Sequence, residues 1–167
     1  MRIGCIVILS LAMLALYILI VGEISLTTIL LGSIASITAS AIFCDILVKH
    51  STKLVDIRRL GYLIKFFFHY LFVIEPRAHA DLMKRILSPS MPVNPGIIAI
   101  PYRVESEYSV LLIANSITNT PGTAVVDIDK DKKVLFVHWI DIKAVEPEKC
   151  REIISRIFEE YSQKVFD

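Results

Sequence analysis

Residues 3-IGCIVILSLAMLALYILIVGEISLTTILLGSIASITASAIFC-44 contain a single charged side chain, Glu23. Two apolar runs, Ile3–Val21 and Ile24–Cys44, flank the pair Gly22-Glu23. Crossing the ~30 Å hydrocarbon core takes about 20 helical residues, so each run suffices to span, and the two residues between them leave room only for a tight turn. A secretory signal peptide has a shorter apolar core and no second span directly behind it. Residues 1–48 therefore read as a transmembrane helical hairpin. The second run carries Gly32, Ser33, Ala35, Ser36, Ala39, Ser40 and Ala41. Small residues let helix backbones approach closely in a bilayer, so this helix is built to be packed against.

The hairpin explains a 167-residue chain that is 54% hydrophobic with a mean hydropathy of +0.61. The net charge of +1 hides a gradient: nine basic and five acidic residues precede position 96, nine and twelve follow. Lys49, Lys53, Arg58 and Arg59 stand directly behind the second run, in 49-KHSTKLVDIRR-59. Lys and Arg resist translocation, which places Met1 and this loop in the cytoplasm and Glu23 outside. No aromatic-interleaved basic patch accompanies them, so the partner is a lipid bilayer and not a nucleic acid. Cys5, Cys44 and Cys150 are far apart with no CxxC pairing, so neither a metal site nor a disulfide is expected. Cys5 and Cys44 read as small hydrophobes at the ends of the spans.

A third apolar segment, 60-LGYLIKFFFHYLFVI-74, is short for a span and contains Lys65 and His69. Continued through 75-EPRAHADLMKRIL-87 it reads as a long helix that Pro76 kinks or breaks. Residues 49–87 are thus a basic loop and an aromatic helix that is membrane-associated or spanning. Arg77, Lys84 and Arg85 beyond the segment favour the in-plane arrangement and a cytoplasmic C-terminal half. Ionisable groups at membrane depth mark ion paths, which makes Lys65 and His69 candidates for one. The preferred alternative is that both reach the interface from a helix lying there.

Residues 88–95, in 88-SPSMPVNPG-96, form a proline-rich linker, and 96–167 a small α+β domain. Its order reads β-α-β-β-α. A strand over 96–104 precedes a helix capped by Ser106. After Pro121-Gly122 come a strand over 123–128, the turn 129-DKDKK-133 and the strand 134-VLFVHWI-140. One helix runs from Pro147, with Cys150, Ile153, Ile154, Ile157, Phe158, Tyr161 and Val165 on one face. Adjacent His138 and Trp139 point to opposite faces of the third strand. Both faces are apolar, which suits a strand covered on both sides or by a partner, and His138 reads as structural. No GxSxG, HExxH, P-loop or Rossmann pattern occurs, and the aspartates at 127, 129, 131 and 141 include turn residues beside lysines. The sequence offers no catalytic residue, cofactor site or metal ligand set.

The order of 92-PVNPG-96, 115-NSITNTPGT-123, VDID at 126–129 and VHWID at 137–141 resembles the E-type component of the multisubunit Mrp-type Na+/H+ antiporters. The resemblance runs over essentially the whole chain. Related subunits occur in archaeal membrane-bound hydrogenases and their sulfur-metabolising relatives. The family resemblance implies an accessory subunit of a larger ion-translocating complex, not an enzyme, with other membrane subunits as partners and a cytoplasmic tail. It carries over motif positions only: Ser116, Thr118, Thr120, Pro121, Gly122, Thr123, His138 and Trp139. Asn119 stands where the family often has leucine. Physically, the hydroxyls and amides of 115–123 are suited to end a helix, satisfy its last backbone groups and reverse the chain. The same corner is a candidate interface.

Overall fold

The computed structural model describes residues 2–47 and 56–167, so Lys49 and Lys53 of the basic loop lie outside the described residues. The chain divides into two compact units, Met1–Asp56 and Ile57–Asp167.

In the first unit, helix α1 (Arg2–Val21) and helix α2 (Leu26–Leu47) pair as a hairpin. Gly22 takes a positive φ of 72° to end α1, a conformation that costs a glycine nothing. Ser25 then caps α2 by accepting a bond from the Thr28 N–H at 3.1 Å, which starts the helix at Leu26 and not at Ile24. The small residues face the partner helix. A Cβ on Gly32 would stand 2.6 Å from the Tyr17 ring, and Ser36 and Ser40 are buried. Leu11, Leu16, Leu19, Leu30, Leu31 and Ile34 remain exposed around the outside. A helix pair with an apolar exterior is suited to lipid. The hairpin is closed by a disulfide between Cys5 and Cys44, with Cα atoms 6.2 Å apart. The sequence reading expected no disulfide, because 39 residues separate the two cysteines. Folding about the 24–25 midpoint pairs them, since each stands equally far from it, as do Tyr17 and Gly32.

The second unit opens with one long helix in three parts: α3 (Ile57–His69), a π turn (Tyr70–Ile74) and α4 (Glu75–Leu87). Pro76 was expected to kink or break it. Instead the widened turn carries the helix into the proline: the Glu75 N–H donates to the Tyr70 carbonyl, five residues back. Strands β1 (Gly96–Pro101), β2 (Thr123–Asp129) and β3 (Val134–Trp139) form an antiparallel sheet in the order β1-β3-β2. Pro101 sits at the end of the edge strand β1, where its missing N–H costs no ladder bond. A bulge at Val126 offsets β2 against β3.

Helix α5 (Glu107–Asn119) connects β1 to β2, and α6 (Pro147–Ile154) and α7 (Arg156–Phe166) follow β3. The single C-terminal helix expected from Pro147 is therefore two, and the order is β1-α5-β2-β3-α6-α7. Ser155 makes the break. Its backbone leaves the helical mean, and its hydroxyl donates to the Glu159 carboxylate at 3.1 Å.

The core collects Ile98, Ile100, Ile113, Ile117, Leu135, Val137 and Trp139 from one face of the sheet and from α5. Phe158 of α7 and Phe66 of α3 complete it. The long helix thus folds with the α+β domain, and the unit begins at Ile57, well before residue 96. The sheet is covered on one face only. Ile97 and His138 are exposed on the other, contrary to a third strand buried on both sides.

Candidate functional site

The polar stretch 115–123 ends α5 and turns the chain into β2, and its three threonine hydroxyls are engaged. Thr120 donates its hydroxyl to the Ser116 carbonyl at 2.7 Å. The Thr123 hydroxyl lies 2.8 Å from the Ile117 carbonyl and 3.2 Å from that of Thr120. The Thr118 hydroxyl accepts the Val125 N–H at 3.1 Å, binding helix end to strand start. These bonds occupy carbonyls that a helix C-terminus leaves without partners. Gly122 has φ +97°, and an added Cβ would lie 3.1 Å from Ile140 Cγ2. Its carbonyl accepts the Ile140 N–H at 2.9 Å, which fixes the corner to the end of β3.

Sequence reading gave no role to Tyr70, yet it meets this corner. The Tyr70 hydroxyl lies 2.5 Å from Glu75 Oε1, and the Asn119 amide donates to it at 3.1 Å. Thr120 Oγ1 stands at 3.3 Å and the Ser116 carbonyl at 3.4 Å. A tyrosine has one proton to give. The carboxylate takes it, so the two longer contacts are packing neighbours. Burial is the main cause that pushes the Tyr70 hydroxyl above its ordinary range, followed by the bond to Glu75. Glu75 also meets His79 Nδ1 at 3.1 Å, one turn further on. The π turn creates this arrangement by bringing Tyr70 and Glu75 to the same side of the helix. The available signal was Pro76 inside a helical pattern, which obliges the preceding turn to rearrange.

Two clefts open along the long helix. One, of about 470 Å³, is lined by Phe66, Tyr70, Asn115, Ser116, Thr118 and Asn119. The other, of about 550 Å³, runs between the long helix and the end of the sheet, past His69, Arg77, Pro121 and Trp139. Arg85, which lines this cleft with Asp81 and Asp141, gathers the linker. Its guanidinium meets Asp81 at 2.9 Å and Asp141 at 2.9 Å, and donates to the Pro92 carbonyl at 2.8 Å. The bond to Arg85 holds the Asp81 carboxyl below its ordinary range. Asn94 exchanges backbone bonds with Ile140 and Ile142, so the 92–96 motif is tied to the strand that carries His138 and Trp139.

The remaining candidates disperse. Trp139 is buried in the core, and His138 is exposed on the open face of the sheet. His69 Nδ1 lies 3.1 Å from the Tyr161 hydroxyl of α7, while Lys65 is exposed to the outside of α3. They are one turn apart on the same side of α3, His69 bonded to α7 and Lys65 open to solvent. Ser116 is buried, Thr118 exposed, and Thr120 to Thr123 half-buried. Among the described residues no group of three His, Cys, Asp or Glu side chains is placed to hold a metal. The arrangement is one of hydroxyls, amides and a carboxylate locked in mutual bonds, suited to holding a corner and presenting a surface.

A family model described as Na+/H+ ion antiporter subunit matches residues 10–165. The E component of the Na+/H+ antiporter of Alkalihalophilus pseudofirmus is 38% identical over 80 residues, covering 48% of this chain and 48% of that protein. The match thus spans about half the length of that relative. The E1 component of the Na+/H+ antiporter of Staphylococcus haemolyticus is 29% identical over 144 residues, covering 85% of this chain and 86% of that one. Among solved structures, a chain of the membrane-bound sulfane sulfur reductase, an archaeal respiratory membrane complex, superposes with a TM-score of 0.83 at 26% identity. That match covers 98% of this chain and 99% of that one.

Proposed function

The chain belongs to the Na+/H+ ion antiporter subunit family, and on that premise we propose that it is an accessory membrane subunit of an Mrp-type Na+/H+ antiporter, required for monovalent cation and proton exchange by the assembled complex. The observation that carries this reading is the extent of the family match, which takes in most of the hairpin and all but the last two residues of the folded tail. A two-helix hairpin is too slight to enclose an ion path, so its partners are other membrane subunits and the surrounding lipid. The chain is not itself a catalyst and needs no cofactor.

In this reading the protein sits in the cell membrane with Ile57–Asp167 on the cytoplasmic side. Support comes from charge: Arg58 and Arg59 follow the second span together with Lys49 and Lys53, whereas the turn between spans carries only Glu23. The exposed residues of the motif set, Thr118 at the end of α5 with neighbouring Asn115 and Asn119, and His138 on the open face of the sheet, are the two surfaces offered to partner subunits. Ser116, Thr120, Pro121, Gly122, Thr123 and Trp139 hold those surfaces in shape. His69 serves as a latch to α7 and Lys65 as an interfacial charge, both outside the ion path.

A second reading is favoured by the likeness to the sulfane sulfur reductase chain. In it the protein fills the equivalent place in the ion-translocating module of an archaeal membrane-bound hydrogenase or a related ferredoxin-dependent respiratory complex. Purification through a tag on this chain, followed by native mass spectrometry, separates the two. Co-purifying antiporter subunits, with loss of Na+/H+ exchange in vesicles from a deletion strain, support the first; large [NiFe] or Fe–S subunits support the second. A chain that purifies alone and moves sodium or protons unaided overturns both.

A further inference from the structure

The long helix has two faces of opposite fate. Phe66 and Arg59 turn inward, Phe66 against Phe158 and Tyr161, and Arg59 donating to the Val165 carbonyl at 2.9 Å. His69 bonds Tyr161, and Lys164 of α7 stands over the Tyr62 ring. The opposite face carries Ile57, Leu60, Ile64, Phe67, Phe68 and Leu71, each between 45% and 83% exposed, with no charge among them. Phe72 continues the stripe, stacked on Phe68 with ring centroids 6.0 Å apart. An uninterrupted apolar face of this length on an otherwise water-facing unit marks an interaction surface.

We infer that this stripe rests in the acyl-chain boundary of the bilayer, with the helix lying in the membrane plane and the α+β domain seated on its upper face. Three observations favour lipid as the occupant. The stripe begins only nine residues, 48–56, after the last residue of α2. The ten steps from Leu47 to Ile57 reach no further than about 36 Å when fully extended, so chain length alone keeps the start of the stripe close to the membrane that the hairpin crosses. Arg58 and Lys65 border the stripe on its polar side, at the depth where basic side chains meet headgroups. The third observation excludes a span. Along α3 the inward face is occupied by α7, whose exposed residues include the charged Glu160 and Lys164. Inserting α3 would drag those charges into hydrocarbon, which transmembrane segments avoid. The 16 residues from Ile57 to Phe72 also rise only about 24 Å, short of the core thickness.

The inference rests on the hairpin spanning a membrane, not on which complex surrounds it. The test places p-benzoylphenylalanine at Phe68, or separately at Phe67, in the full chain within its assembled complex in native membranes. Leu16 on the outside of α1 and Val126 on the exposed sheet surface serve as references. Irradiation followed by mass spectrometry is expected to give phospholipid adducts at 67, 68 and 16 and none at 126. Cross-links from 67 and 68 to another polypeptide, or no lipid adduct there while 16 gives one, would overturn the inference alone. Absence of lipid adducts at 16 as well would remove the membrane hairpin, and the inference with it.

Discussion

Tyr70 and Glu75, five residues apart on one helix, meet through a 2.5 Å hydrogen bond because the turn between them is a π turn. The bond couples an irregularity forced by Pro76 to the corner at 115–123, since Asn119 donates to the same hydroxyl. Replacing Tyr70 with Phe keeps the ring and removes the link. The expected loss is about 1.5–3 kcal/mol of stability, the usual worth of a hydrogen bond to a charged group. Chemical denaturation of the full chain in detergent measures it.

The same pair gives a pH dependence. Burial and the carboxylate raise the Tyr70 hydroxyl above its ordinary value of 10.0. A raised folded-state value means a contribution fully present below the ordinary value and lost as pH climbs through the folded one. Thermal stability of the wild type should therefore fall above about pH 10 more steeply than that of Tyr70→Phe. Parallel curves for the two proteins would refute the coupling.

Gly122 combines φ +97° with a tight approach to Ile140. Gly122→Ala should cost about 1–2 kcal/mol from backbone conformation alone, and Gly122→Val more, because a branched Cβ has less room to shift. In the complex the expected readout is graded loss of assembly, Val worse than Ala, scored by recovery of partner subunits. Full recovery and transport with Val would show that the corner has no part in assembly.

The three cysteines allow a direct count. Cys150 is buried and donates to the Ala144 carbonyl at 3.1 Å, and burial pushes its thiol above the ordinary range. Cys5 and Cys44 are joined. Native protein should resist maleimide at neutral pH. Unfolding without reductant should add one label, and unfolding with reductant three. Three labels without reductant would mean that the Cys5–Cys44 bond does not form in the cell.

What the sequence disclosed and concealed follows from range. The hairpin was legible because a charge-free run over Ile3–Cys44 broken by Gly22-Glu23 is a local signal. The Cys5–Cys44 pairing needs the register of two helices, and nothing near either cysteine announces it. The aromatic segment was legible as a helix but not as part of the folded unit, since phenylalanine suits lipid and protein core equally. Its periodicity held the distinction: Arg59, Tyr62, Phe66 and His69 fall on one side, Leu60, Ile64, Phe67 and Leu71 on the other. At the candidate site, the turn chemistry of 115–123 is local and was readable. Tyr70 reaches Asn119 across 49 residues and Arg85 reaches Asp141 across 56, and no spacing rule reaches that far.

Arg151 and Glu159 test how the C-terminal helices hold together. The guanidinium of Arg151 grips both oxygens of Glu159, at 2.8 to 3.2 Å, and Ser155 between them donates to the same carboxylate. Glu159 is 1% exposed, so its charge has no water to fall back on. The bond to Glu159 accordingly raises the Arg151 guanidinium above its already high ordinary value. Removing one member strands the other, at a cost of about 3–5 kcal/mol for an ion pair buried this deeply. Arg151→Met should therefore unfold the second unit at markedly lower denaturant. Because an apolar pair of similar size avoids the desolvation that both charges suffer, the double change Arg151→Met with Glu159→Leu should recover most of that loss. A double variant as unstable as the single would mean that the pair, with Ser155, is needed to shape the break between α6 and α7, beyond balancing its own charges.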